Sequence, residues 1–328
     1  MTQNAADRHQ PVMLNRCVDL LAPALDKPGA IAIDGTLGMG GHTEALLKRC
    51  PQVTVVGIDR DLDAIALASE RLKSFGDRFV AYQAEYDNIA GALARVGATK
   101  ADGILLDLGV SSLQIDEVER GFSYAQDAPL DMRMNREDLT TAADLLANRT
   151  ERELARIFRE YGEERFAPRI ARAIVRRRDT EPVLRSADLV ELVRGAIPAA
   201  IRATGGNPAK RTFQALRIAV NRELEVLERT IPTAIEATPV DGRIVVMSYH
   251  SLEDRIVKQA FAAGATSSAP PGMPIIPDED QPYLTLLTRG AEQATAQDAE
   301  DNPRSKPVRL RAAQRTRLTP IERLKRKA

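Results

Sequence analysis

The chain has 328 residues, with 46 Lys and Arg against 46 Asp and Glu, so its formal charge is zero. A hydrophobic share of 44% supports a sizeable core and excludes a disordered chain. No apolar run approaches the roughly 20 residues that cross a bilayer, no basic-then-apolar leader opens the chain, and two cysteines (Cys17, Cys50) with three histidines exclude a disulfide framework and argue against a metal cluster. A cytoplasmic protein of about two domains is expected.

Val12, Met13, Leu14, Cys17, Val18, Leu20, Leu21 and Leu25 share one face of a predicted helix over 11–25, with Pro11 in its first turn. A short apolar strand over 30–33 closes on Asp34. Residues 35–41 form a glycine-rich turn into a helix over 43–49. The pattern repeats with a strand over 53–58 closing on Asp59, a helix over 62–75, and strands over 79–83 and 103–108. Such alternation predicts βαβ units and a parallel sheet that binds ligands at the carboxyl ends of its strands.

From 115 to 210 no strand-like run appears. Thr150-Glu151-Arg152-Glu153 reads as a capping box, Leu154, Ile157, Phe158 and Tyr161 follow at helical spacing, and Ser186 is placed to cap a helix over 188–196. Residues 204–208 read as a loop. The expected division is therefore 1–114 with 211–328 for the sheet domain and 115–210 for an inserted helical subdomain. The sheet pattern resumes with a helix over 211–230, a strand over 243–248 and a helix from Ser251. Residues 283–288 and 308–312 read as a terminal hairpin around a long acidic loop. From Arg304 to Ala328 ten Lys and Arg stand against one acid, Glu322. A basic tail on an acidic body suits a polyanionic partner, and equally a solvated tail.

The strongest local signal is Asp34-Gly35-Thr36-Leu37-Gly38-Met39-Gly40-Gly41-His42 between a strand and a helix. Glycines there let a ligand approach the backbone, and the helix N-terminus offers free N–H groups. The loop departs from G-x-G-x-x-G, because Thr43 occupies the last position. It fits better the acid-x-x-x-G-x-G loop of S-adenosylmethionine enzymes. Asp59 closes the second strand, where an acid suits ribose hydroxyls. Loop and acid alone leave NAD and S-adenosylmethionine both open. Asp107 ends the fourth strand beside the expected crevice, where it suits an amine N–H or a loop cap.

Longer motifs follow in order: His9-x-Pro11-Val12-Met13, the glycine loop through Thr43, Ile58-Asp59-Arg60-Asp61, and Leu105 through Gln114. Arg120-Gly121-Phe122-Ser123, Pro129 through Met134, Tyr161-Gly162-Glu163-Glu164, Arg211 through Ile218, Ser248 through Arg255 and Asn302-Pro303-Arg304-Ser305 complete the set. Across roughly residues 9–315 the chain closely resembles the bacterial ribosomal RNA small subunit methyltransferase H family. The resemblance implies an α/β class I Rossmann-like methyltransferase sheet with an inserted helical subdomain. It implies S-adenosyl-L-methionine as cofactor and N4 of a cytosine in the decoding region of 16S rRNA as target, within the small ribosomal subunit. The cofactor residues it implies are Gly40, Gly41, His42, Asp59, Tyr86, Asp107 and Gln114, with Tyr86 making ring contact. Whether the chain pairs as a homodimer stays open.

Cytosine N4 is a poor nucleophile because its lone pair is delocalised. It must be held in line with the methyl, and a proton must leave. Asp107-Leu108-Gly109-Val110 stands where many amino methyltransferases carry two prolines and an aromatic ring. Asp107 matches their first residue; Asp131 and His250 are further catalytic candidates, against an ion pair with Arg133 and a buried structural histidine. Arg165, Arg169, Arg172 and Arg176 share one helical face that suits RNA phosphates, or a solvated surface. An NAD-dependent oxidoreductase explains only the loop and Asp59, and added NADH with an absorbance readout tests it. A noncatalytic RNA-binding protein explains only the arginines and the tail.

Overall fold

The computed structural model describes residues 11–199 and 207–320. His9, most of the 204–208 loop and the basic run Arg323 to Lys327 lie outside these residues. The chain divides into two units, one running to Gly109 and resuming at Glu225, the other spanning Val110–Leu224.

The first unit holds a seven-stranded sheet. Its strands are β1 (Ile31–Asp34), β2 (Thr54–Asp59), β3 (Phe79–Gln83), β4 (Gly103–Asp107), β5 (Arg243–Ser248), β6 (Leu284–Leu286) and β7 (Arg309–Arg315). They lie in the order β3-β2-β1-β4-β5-β7-β6. The first five run parallel, and β7 runs antiparallel to both β5 and β6. Side chains two apart share a face, so alternate residues of one strand feed opposite layers. Ala32, Val55, Leu105, Val245 and Leu310 pack with Cys17, Leu21 and Leu25 of helix α1 (Leu14–Leu25) and Leu46 of helix α2 (Gly41–Arg49). Their chain neighbours Ile33, Val56, Leu106 and Val246, with Ala313 of β7, pack on the other face with Leu227, Ile231, Val257 and Phe261. Both faces are covered, which is why the parallel strands read as near-continuous apolar runs.

Three expected boundaries change. The first helix begins at Leu14, because Met13 takes a left-handed conformation (φ 47°). The single helix over 211–230 is two, Lys210–Asn221 and Glu223–Ala237, broken at the left-handed Arg222 (φ 53°). Buried Asn221 pins the break: it donates to the Met132 carbonyl (2.7 Å) and accepts from the Met134 N–H (2.8 Å). The last strand, expected over 308–312, forms and runs on to Arg315. Arg311 pairs with Asp254 at 2.7 Å, and Arg317 with Asp278 at 3.2 Å.

Arg315, 1% exposed, donates to the carbonyls of Ile235, Glu236 and Thr238 at the end of the helix Glu223–Ala237. Those are the acceptors a helix C-terminus leaves unpaired. Arg315→Lys keeps the charge and loses the fork. We expect it to cost about 1 kcal/mol, the worth of a lost hydrogen bond, read as a lower Tm in thermal denaturation.

The second unit is helical. Its core joins Leu145, Leu154, Phe158, Ile170, Ile174, Leu189 and Leu216. The capping box at Thr150 and Glu153 forms as expected (2.8 and 3.2 Å). Ser186 does not cap: the helix starts at Ser186 itself, and the hydroxyl bridges Gln126 and Ala128 instead. Helix Lys210–Asn221, expected in the sheet domain, belongs here because Phe213, Ala215 and Leu216 enter this core.

Candidate active site

The carboxyl ends of β1, β2 and β4 each present an aspartate. Asp34 is 1% exposed. It accepts from Thr43 Oγ1 (2.7 Å) and the Thr36 N–H (3.3 Å). Burial pushes its carboxyl above the usual range; the nearby His42 and the Thr43 bond pull part of the way back.

The glycine loop is built on the second acid. Asp59 Oδ2 accepts the Gly38 N–H at 2.8 Å, and Oδ1 accepts the Asp61 N–H at 2.9 Å. Each carboxylate oxygen keeps a second lone pair. Burial pushes Asp59 up to about 6, against the two backbone bonds that lower it. Gly40 sits at φ 76°, where a Cβ would lie 3.0 Å from Leu72 Cδ1, so the turn into α2 admits glycine alone without strain. At Gly41 a Cβ would meet Pro11 Cγ at 2.4 Å.

Asp107 is held by side chains from two other elements. Its N–H donates to Thr36 Oγ1 (2.6 Å), and Tyr249 Oη donates to its Oδ1 (2.7 Å). Its Oδ2 lies 3.8 Å from His42 Nδ1. The other ring nitrogen, Nε2, donates to the Val12 carbonyl at 3.0 Å, which leaves Nδ1 toward the carboxylate. Burial raises the Asp107 pKa; His42 and the Tyr249 hydroxyl oppose the shift. Tyr249, itself pushed well above its ordinary value by burial and by Asp107, is the residue the sequence reading passed over. Its position directly after β5 was the available signal.

The other expected residues fall as follows. Tyr86 packs beside Gly35, where an added Cβ would lie 3.4 Å from Tyr86 Cβ. Gln114 belongs to the second unit and forms a capping box with Ser111. Asp131, in the same unit, is gripped by Arg133 at 2.7 Å through both oxygens, and its carboxyl lies below the usual range: burial opposes the lowering, and the Arg133 bonds outweigh it. His250 Nε2 lies 3.2 Å from Glu253 Oε1, and that buried carboxylate also accepts the Tyr249 and His250 N–H groups.

Arg165, Arg169, Arg172 and Arg176 are all exposed. Arg165 and Arg169 lie 5.0 and 5.9 Å from the Phe166 ring, and Arg172 is 3.3 Å from Glu151. Arg169, Arg172, Arg176 and Arg177 line an open groove with Glu191. Replacing Arg169 and Arg176 with Gln is expected to weaken RNA binding and flatten its log–log salt slope by about 1–2, since each phosphate contact contributes just under one unit. A filter-binding salt titration with an unchanged slope assigns these arginines to a solvated face.

A sheet wound in this order, with an antiparallel seventh strand between β5 and β6, is that of the class I methyltransferases. The chain belongs to the MraW methylase family, whose model it matches over residues 6–316. It is 62% identical to the ribosomal RNA small subunit methyltransferase H of Beutenbergia cavernae, over 96% of this chain and 95% of that one. The protein of the same name from Streptomyces avermitilis is 57% identical over 94% and 98% of the two chains. The one from Kocuria rhizophila is 56% identical over 96% of each.

Proposed function

We propose that this protein methylates N4 of a cytosine in the decoding region of 16S rRNA, within the small ribosomal subunit in the cytoplasm, using S-adenosyl-L-methionine. The observation that carries this reading is the Asp107 carboxylate, fixed by Thr36 and Tyr249 at the end of β4 in a chain of this family. The donor set fits the cofactor. Asp34, Asp59 and Asp107 are acceptors and anions at neighbouring strand ends. That suits ribose hydroxyls and a cationic sulfonium, and it repels the pyrophosphate of NAD.

When bound, S-adenosylmethionine supplies an electrophilic methyl group. The chain's residues do the rest. Asp59 accepts the ribose hydroxyls on its spare lone pairs. Tyr86 offers its ring to the nucleoside, and Gly40, Gly41 and His42 complete this unit's cofactor set. Asp107 accepts an N–H of the target amine, which concentrates electron density on N4 and directs the departing proton. The arginines of the unit Val110–Leu224 bind RNA phosphates. The base is reached unstacked, because chemistry at the amine needs access.

Mass spectrometry of small-subunit rRNA from cells with and without this chain tests the reading. Loss of one methyl from one decoding-region cytosine is expected. An unchanged rRNA overturns it.

A further inference from the structure

We infer that Arg229 is a positioning residue for the cofactor: it grips both chain neighbours of Tyr86 and so sets the ring that meets the nucleoside. This rests on the proposed ring contact of Tyr86. The loop after β3 is short and tied at both ends. Ala84 N–H donates to the Asp59 carbonyl at 3.0 Å, which ties the loop to the acid that closes β2. Asn88 N–H donates to the Glu85 carbonyl at 3.0 Å, closing a tight turn with Tyr86 inside it. Asn88 Oδ1 then caps the next helix through the Gly91 N–H (3.1 Å).

Tyr86 thus sits between two acids, Glu85 and Asp87. Their like charges repel. Arg229, on the helix Glu223–Ala237, supplies the offset. Its Nε and Nη2 lie 3.0 and 2.8 Å from Asp87 Oδ2, and Nη2 lies 3.6 Å from Glu85 Oε2. Arg60, directly after Asp59, takes the other oxygen of Glu85 at 3.8 Å. A planar guanidinium with donors in a fixed fork holds two carboxylates in one geometry, which a lysine does not. The ring between them is then set from both sides.

These pairs are partly exposed, so the effect is modest. Arg229→Ala is expected to raise the Kd of S-adenosylhomocysteine, measured by calorimetry, by about fourfold, and the KM for S-adenosylmethionine alike, while kcat stays unchanged. Asp87→Asn releases the same grip and is expected to give the same loss, without adding to Arg229→Ala. The decisive measurement is a double-mutant cycle. In a Tyr86→Ala background, Arg229→Ala is expected to have no further effect on Kd, because its action passes through the ring. An equal fourfold loss in that background overturns the inference and leaves the Tyr86 contact standing. An unchanged Kd in Tyr86→Ala alone overturns the ring contact, and the Arg229 role with it.

Discussion

Asparagine at position 107 is expected to slow methyl transfer in single turnover by about 10²-fold or more, within the range for groups that handle a proton. The substitution keeps the size and one acceptor oxygen. That oxygen goes on accepting from the Tyr249 hydroxyl, so the local fold survives. The other oxygen, 3.8 Å from His42 Nδ1, becomes an NH2 group. In the proposed role of Asp107, a donor then faces the target amine where an acceptor is needed, and the charge that draws the proton is gone. Calorimetry is expected to show cofactor affinity changing far less than the rate. Burial raises the Asp107 pKa, so the wild-type rate falls on the acid side at a higher pH than an ordinary aspartate gives, and Asp107→Asn removes that limb. If affinity collapses and the rate at saturating cofactor stays near normal, Asp107 is a binding residue only. His250 and Asp131 are then tested in the same way. Asp131 is the weaker base of the two readings, because Arg133 occupies both of its oxygens.

What the sequence made legible was whatever depends on near neighbours. The sheet was readable because both of its faces are covered, so β1, β2, β4 and β5 are apolar through their middles and each of the first, second and fourth closes on an acid. The capping box at Thr150 was readable because its two partners are three residues apart. Apart from the helix start at Leu14, a local effect of Met13, the failures involve distant partners. The break at Arg222 depends on Asn221 reaching residues 132 and 134. Ser186 left its capping role for carbonyl and N–H groups some 60 positions away. The strand over 308–312 was readable, but the ion pairs of Arg309 and Arg311 with Asp254 and of Arg315 with Glu236 were not, because those partners are far along the chain. Tyr249 and Asp107 are 142 positions apart and meet only because β4 and β5 pair in parallel. Motif reading found the first of that pair and missed the second for this reason.

Alanine at position 59 is expected to weaken cofactor binding by about 1–3 kcal/mol, the cost of leaving polar partners unpaired. Two effects contribute. The ribose hydroxyls lose their acceptor, and the Gly38 N–H loses the bond that shapes the glycine loop. Asparagine separates them, since its single oxygen retains the Gly38 bond while the charge and the second acceptor are lost. The pH dependence gives an independent measure. Burial pushes Asp59 up to about 6. The hydroxyls and the sulfonium both prefer the ionised carboxylate, so affinity declines as pH falls through about 6. At pH 5 roughly a tenth of the free protein carries the charge, and the Kd is expected to be about tenfold higher than at pH 7. The sign is opposite for the stability of the free protein. Its folded state holds the Asp59 proton to higher pH than the unfolded chain does, so this group's contribution to stability falls as pH rises from about 4 to about 6. Calorimetry at both pH values on the wild type and Asp59→Asn checks the assignment. The asparagine variant is expected to bind weakly and with no pH dependence over this range. An unchanged affinity in Asp59→Ala at pH 7 removes both contributions, the ribose acceptor and the loop-shaping bond to Gly38, from cofactor binding.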